Sequence, residues 1–407
     1  MIIKILMLAL FFAVTVGVGV YCRKHATNVN DFVLGGRNVG AWVSAFAYGT
    51  SYFSAVVFVG YAGQFGWSFG LSVVWIGIGN AVLGSYLAWV ILGKRTRLMT
   101  TSLDSATMPD FFAKRYDSKV IRVVVSFVIF VFLVPYSASV YRGLSELFSM
   151  AFGIDVIYCI ILMAVLTGIY VVLGGYIAVA LNDLIQGIIM IISIIAVIFV
   201  VINSKGGLMS SIQQLSQIPS TTTPDLHGAY VSFLGPDPIS LIAVLILTSL
   251  GTWGLPQMVH KFYTIRNGKA IKIGTIISTI FAFIIAGGSY FLGSFGRLFY
   301  TPQADGAVAF DSIVPSMLGQ VLPDVLIGLV IVMVLSASMS TLSALVMTSS
   351  STVTLDFLHA VLFKNMSNKM QVGIIKAFCV LFVILSVVIA INPNNLITTL
   401  MSLSWGT

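Results

Sequence analysis

Ten apolar runs follow one another along this chain, near residues 3–22, 40–65, 69–93, 120–146, 154–174, 181–203, 238–258, 273–297, 323–355 and 371–391. A hydrocarbon core roughly 30 Å thick takes about 20 residues of helix, so each run is long enough to cross a bilayer. Barrel strands would show as short alternating segments, and none occur. The fold class read from this pattern is an all-α polytopic membrane protein. Composition agrees, since charged residues make up 8% of the 407 against about a quarter in soluble domains. An eleventh apolar run begins at Leu396 and reaches only Thr407. The chain is therefore expected to stop inside a helix, with its C-terminus truncated. The first run, Ile2 to Cys22, is too long for a signal-peptide core, has only Lys4 before it and is followed by Arg23 and Lys24, so it reads as a retained helix.

The formal net charge of +8 takes its meaning from where the charges lie. With the N-terminus outside, every one of the 21 Lys and Arg falls in an inner loop except Lys4, Lys205, Arg297 and the intramembrane Arg142. That bias is the positive-inside rule, and it predicts a multi-pass protein of the plasma (inner) membrane with its N-terminus outside. Asp155, Asp225, Asp237, Asp305, Asp311 and Asp324 then lie outside. The basic balance needs no nucleic acid, and the inner loops suit anionic membrane lipid. Stretches 101–117 and 203–237 are the sizeable non-membrane segments, and neither is long enough for a catalytic domain. One membrane domain over 1–407 is expected. Cys22, Cys159 and Cys379 lie in apolar segments without paired spacing and read as small packing residues. His25, His227, His260 and His359 are scattered, His260 in a basic inner loop, with no ligand spacing for a metal. No nucleophile motif or phosphate loop occurs, so neither an enzyme nor an ATP-driven pump is supported.

Two runs are interrupted alike. The second carries Gly49, Thr50 and Ser51, and the seventh carries Gly251, Thr252, Trp253, Gly254 and Pro256. They stand five spans apart and start on opposite sides, as two inverted five-helix repeats require. Broken helices of that kind hold ions and solutes at the midplane. Gly and Pro are also frequent in membrane helices generally, but the matched positions favour a site. The ninth run, VLSASMSTLSALVMTSSSTVTLDF, is dense in hydroxyls. Ala337, Ser340 and Thr341 share one face at i, i+3 and i+4, flanked by Ser336 and Ser343. Hydroxyls and carbonyls suit a monovalent cation better than Ca²⁺, which usually takes carboxylates. The same small residues also serve helix packing. From this segment alone both readings stand.

The ordered motifs LGGRNVG, YVVLGGYIAVALNDLIQG, GTWGLPQMVHKF and MSTLSALVMTSSSTVTLDF resemble the sodium:solute symporter family over essentially the whole chain, the MSTLS segment most nearly its sodium/proline type. The resemblance implies LeuT-type inverted five-helix repeats preceded by one extra N-terminal helix: the extra helix at 3–22, a first repeat at 40–203 and a second at 238–407. It implies a sodium (Na+) site built from the carbonyls of Thr50, Phe53 and Ala337 and the hydroxyls of Ser340 and Thr341. Some members use the aspartate matching Asp183 in a second sodium site or an exit route; a solvated helix-end carboxylate is the alternative. Ser343 matches one further serine of that second site and Ala344 replaces the other, which favours one sodium.

For the solute, Arg142 is the basic residue inside an apolar run. Its guanidinium fits a carboxylate, while Glu146 one turn on offers an internal pair, and snorkelling to the interface is a third reading. Tyr52 stands where some symporters carry an acid, which argues against simply assigning proline. Ser54, Trp253 and Gln257 are the remaining polar candidates for solute, with Trp253 equally a packed aromatic or gate. The resulting expectation is a sodium-coupled secondary symporter importing a small organic solute, carboxylate-bearing such as an amino acid or monocarboxylate. Alternatives are a solute-sensing module of a signalling protein or a proton-coupled carrier. A channel is disfavoured, because broken helices around a closed site are not filter loops. Oligomeric state is not legible.

Overall fold

The structure, a computed structural model, describes residues 2–22, 28–220, 227–302, 307–363, 365–392 and 397–405. Arg23, Lys24, His25, Asp225, Asp305, Lys364, Leu396 and Thr407 lie outside these residues. Among the described residues the chain is helical. After α1 (Ile2–Cys22) and the short α2 (Val29–Leu34) comes the first broken span, α3 (Ala41–Tyr52), a π-turn over Val56–Tyr61 and α4 (Ala62–Phe69). The next span runs through α5 (Val74–Gly79) and two π segments into α6 (Lys94–Ser102). The connection after it holds α7 (Met108–Tyr116), and α8 (Lys119–Phe152) and α9 (Val156–Ser204) follow. Beyond α10 (Leu208–Ser216), the second broken span is α11 (Pro238–Leu250), a 3-10 turn over Gly251–Gly254, and α12 (Pro256–Thr264). Then come α13 (Gly268–Ser294), α14 (Phe310–Val321), α15 (Asp324–Thr352), α16 (Asn368–Ala390) and α17 (Ile397–Trp405).

Helix starts are set by capping residues. Thr107, Ser118, Asn267 and Ser367 each accept a backbone N–H from the first turn of α7, α8, α13 and α16, satisfying donors that a helix leaves open. Two continuous helical tracts are too long for one crossing. Val56–Ser102 would extend roughly 70 Å if straight, but Gly70 (φ 61, ψ −138) turns the chain. In α9 Gly175 (φ 64, ψ 176) does the same, separating the fifth and sixth runs. The bent pair Pro238–Gly254 and Pro256–Thr264 meets at 50°. Among the described residues seven helices are long and apolar enough to cross a membrane, or eight with the bent pair taken as one span, and their order is that of one N-terminal helix followed by two inverted five-helix repeats, each opening on a broken span.

Position in the bundle follows polarity. In α1 a narrow stripe (Lys4, Phe11, Thr15, Gly19 and Cys22) is buried, and Leu6 and Leu10 face lipid. By contrast α15 is buried on all sides through its central turns, which is where its hydroxyls are placed. Lipid tails are as apolar as leucine, so close packing rather than hydrophobicity holds such helices together. Gly66 of α4 and Gly293 of α13 show it: a Cβ on Gly66 would strike the Gly293 carbonyl, and one on Gly293 the Ala62 carbonyl. Lys4 ties α1 to the bundle through Asp324 (2.9 Å) and the Ala151 carbonyl (3.3 Å).

Three expectations are corrected. The first break lies at Phe53–Ser54, not at Gly49–Ser51, because Phe53 N–H still donates to the Gly49 carbonyl (3.2 Å) and Phe53 then turns extended (φ −111, ψ 96). His260 is not in a loop: it is buried on α12 beside the Tyr176 ring. Lys261, counted with the inner-loop bases, is 1% exposed.

If the glycine contact carries packing, Gly66→Ala and Gly293→Ala should each lower the thermal unfolding midpoint in detergent by several degrees, whereas Gly17→Ala, with open space around it, should not. Equal midpoints for all three would refute the close approach.

Candidate cation and solute site

Thr50 and Ser51 occupy the last turn of α3, where carbonyls lose their helical partners to the break. Facing them, α15 presents Thr341, whose hydroxyl donates towards the carbonyls of Ala337 (3.1 Å), Thr50 (3.3 Å) and Ser51 (3.4 Å). A hydroxyl has one hydrogen, and the Ala337 carbonyl already accepts the Thr341 N–H within α15, so the Thr50 and Ser51 carbonyls at the break are left short of donors. Ser340 donates to the Thr50 hydroxyl at 2.8 Å, and that hydroxyl donates back to the Phe46 carbonyl at 2.8 Å. Thr50, Ser51, Ser340 and Thr341 are all fully buried. A buried, oxygen-rich cluster short of hydrogen-bond donors suits a small monovalent cation. Four of the five residues implied for sodium thus converge: Thr50, Ala337, Ser340 and Thr341. The fifth, Phe53, joins Ala337 and Ser54 in lining a cavity of about 10 Å³, the room of one water or small ion.

Asp183 on α9 is fully buried one layer further in. Its carboxylate faces the Lys261 ammonium of α12 at 3.7 Å, and Ser340 lies beside it. Neither oxygen of Asp183 receives a hydrogen bond. Ser343 is committed to its own helix, donating to the Ser340 carbonyl at 2.9 Å. Gln257, expected near the solute, instead lines a cavity with Lys261, His260 and Tyr176, and both its amide atoms lack hydrogen-bond partners.

Of the remaining solute candidates, Ser54 lies at the break, where its hydroxyl accepts the Val56 N–H (3.2 Å). Arg142 pairs with Glu146 at 3.0 Å, each 16% exposed, and its buried Nε has no hydrogen-bond partner. The next residue, Gly143, lets α8 approach Ala55, whose Cβ a methyl on Gly143 would meet at 3.1 Å. Trp253 donates its indole N–H to the Leu83 carbonyl at 2.9 Å, bracing the second break against the third span. Tyr52 donates to the Thr248 carbonyl at 2.7 Å. Sequence reasoning missed Asn80, whose amide oxygen accepts from both Thr248 (3.0 Å) and Ser249 (3.1 Å); a buried amide in an apolar run was the available signal. It also missed Lys261.

Both ends are fastened. On the side of the basic loops, Val39 N–H donates to the Thr264 carbonyl (3.1 Å) and Arg266 N–H to the Val39 carbonyl (3.0 Å). Arg37 adds a bond to the Ser105 carbonyl (2.7 Å), and Arg97 one to the Ile265 carbonyl (2.6 Å). The Val39 bonds join the entry of α3 to the exit of α12, while Arg37 and Arg97 tie those two ends to the α6–α7 connection and to α6. On the opposite side Asp311 of α14 accepts the Ile397 N–H at 3.2 Å; burial pushes its carboxyl up to about 6, an effect that this bond opposes.

A family model, the sodium:solute symporter family, matches residues 32–407. The osmoregulated proline transporter OpuE of Bacillus subtilis is 29% identical over 406 residues, covering 99% of this chain and 80% of the relative. A sodium/proline symporter of Staphylococcus aureus is 30% identical over 409 residues, covering 98% and 78%. Among solved structures, a sodium-coupled sialic acid symporter in a substrate-bound outward-open state superposes with a TM-score of 0.76 at 19% identity, covering 96% of this chain and 82% of that one. MHP1, a nucleobase-cation-symport-1 family transporter in a closed conformation, gives 0.54 at 11% identity, covering 91% and 76%. These two likenesses establish the LeuT-type fold.

The inner fastening predicts that Arg37→Gln loosens that side. With Cys22, Cys159 and Cys379 replaced by serine, Ser351→Cys should react with an impermeant maleimide from the basic-loop side several-fold faster in Arg37→Gln than with Arg37 present. Equal rates would show that Arg37 does not hold the closure.

Proposed function

The chain belongs to the sodium:solute symporter family, and from that premise we propose that its solute is a carboxylate-bearing amino acid of the proline type, carried with one sodium ion. The family makes it a sodium-coupled secondary active symporter that imports a small organic solute; it is a multi-pass membrane protein and not an enzyme. The observation that carries the proposed sodium position is the Thr341 hydroxyl shared among three carbonyls across the first break. A sodium ion bound by the Thr50, Phe53 and Ala337 carbonyls with the Ser340 and Thr341 hydroxyls bridges α3 and α15. It therefore favours the conformation in which the break is assembled. Coupling follows, because an ion shifts a conformational equilibrium only by its differential affinity for the two states.

For the solute, Ser54 and the backbone of the first break supply neutral polar contacts, and Arg142 supplies the charge. The unused Nε of Arg142, one residue before the close approach of Gly143 to Ala55, leaves it able to receive a carboxylate. The two proline-transporting relatives support the same class. With the N-terminus outside, one inward charge at 100 mV contributes about 2.3 kcal/mol, roughly 50-fold accumulation before the sodium gradient is added.

Two outcomes are expected in proteoliposomes with labelled L-proline. Uptake should require sodium rather than choline, and Thr341→Ala or Ser340→Ala should raise the half-saturating sodium concentration roughly 5- to 150-fold, the equivalent of about 1–3 kcal/mol for a lost buried polar contact. Sodium-independent uptake, or unchanged sodium affinity in both variants, would remove the assigned cation site. Arg142→Gln should weaken competition by proline at least about tenfold more than competition by its neutral amide. Equal weakening would make the Arg142–Glu146 pair structural and would leave the carboxylate unassigned.

A further inference from the structure

A lysine and an aspartate buried together in a membrane bundle are costly unless they have work to do. Lys261 and Asp183 are such a pair, at 2% and 0% side-chain exposure. Their spacing of 3.7 Å is looser than a hydrogen bond, and neither carboxylate oxygen is satisfied by any other donor. The ammonium is held on its other flank by the Tyr176 ring, 5.3 Å from its centroid, the geometry of a cation–π contact. This is a cation held by a carboxylate and an aromatic face, and the cation is part of the chain.

Two connections give the pair a role. Lys261 lies on α12, which leads directly into Thr264, Ile265 and Arg266, the residues fastened to Val39 and Arg97 at the inner end. Asp183 lies on α9, which packs on α3 and α15. The pair therefore locks the inner half of the second broken span to its neighbour. Ser340 connects it to the cation cluster: the hydroxyl that donates to Thr50 at 2.8 Å also lies beside Asp183. When Ser340 offers its oxygen to sodium, its single proton is released from Thr50. The unsatisfied carboxylate is then the acceptor within reach.

We propose that the Lys261 ammonium is the resident second cation of this transporter: it occupies the place at Asp183 where a second monovalent ion would otherwise bind, and through Ser340 it closes α12 onto α9 when sodium fills the Thr341 cluster. The assignment rests on the sodium site proposed above. It gives a chain-specific reason for a single transported ion, since a carboxylate already neutralised by a tethered ammonium has no net charge to offer a mobile one. It also says what replaces the ammonium. With an uncharged side chain at 261, the Asp183 carboxylate is no longer neutralised and becomes an oxygen ligand for a sodium ion.

The test counts ions with radioactive sodium on the purified protein. One sodium per protein is expected for the unaltered chain, two for Lys261→Met, and one again for Lys261→Met combined with Asp183→Asn, while Thr341→Ala removes the first ion in every background. A Lys261→Met protein that keeps its Thr341-dependent ion and gains none overturns the proposal. So does an unaltered protein that binds two. An unaltered protein whose sodium binding ignores Thr341→Ala overturns the underlying site, a different signature. Should Lys261→Met not fold, the sodium-to-solute ratio from reversal potentials of the unaltered protein decides: a ratio of one supports the resident cation and a ratio of two refutes it.

Discussion

One hydroxyl proton shared among three carbonyls is the constraint around which this bundle is arranged. Where lipid excludes water, a broken helix exposes backbone oxygens that must find partners within the protein. Thr341 offers a single hydrogen to the Thr50, Ser51 and Ala337 carbonyls. Placing it there requires α15 to run through the centre of the molecule, buried on every side. It also requires α3 to stop at Tyr52 rather than continue. The glycine contacts that bring α4 onto α13 and α8 onto the break at Ala55 are consequences of the same need to surround a dry, polar centre closely.

The two broken spans are coupled through this centre. The end of α3 meets the Ser340–Thr341 hydroxyls, and its entry is bonded through Val39 to the exit of α12. Meanwhile α12 carries Lys261 to Asp183, next to Ser340 of the cluster. An event at Thr341 therefore has a short covalent and hydrogen-bonded route to the closure on the side of the basic loops. Symport needs such linkage, because occupancy by ion and solute must both favour the same conformation if one is to drive the other.

Much of this was legible in the sequence, and the parts that were not share a physical cause. The apolar helices, the paired interruptions and the Ala337, Ser340 and Thr341 face all follow from local periodicity and composition, which act within one helix. The position of the first break was misjudged by a few residues: Gly49 and Ser51 look like the weak point, yet the helix holds until the Phe53 N–H has bonded Gly49. Lys261 was counted with the loop bases because a window of hydropathy sees a charge near a run's end, not the carboxylate of Asp183 that tertiary structure brings to it. His260 was misplaced for the same reason. Asn80 and Tyr52 work through Thr248 on a distant span, and no spacing in the sequence announces such a strut. The short α14 escaped notice because twelve residues are too few to register as a span.

The central claim is that sodium binds across the first break and joins α3 to α15. Backbone hydrogen exchange of segment 46–58 tests it most directly, since opening of a broken helix is read from its own amides. Exchange there should slow by roughly tenfold or more when sodium replaces choline, and the slowing should vanish in Thr341→Ala while α16, remote from the cluster, is unaffected. Exchange in 46–58 that ignores sodium, or protection that persists without the Thr341 hydroxyl, would contradict the account.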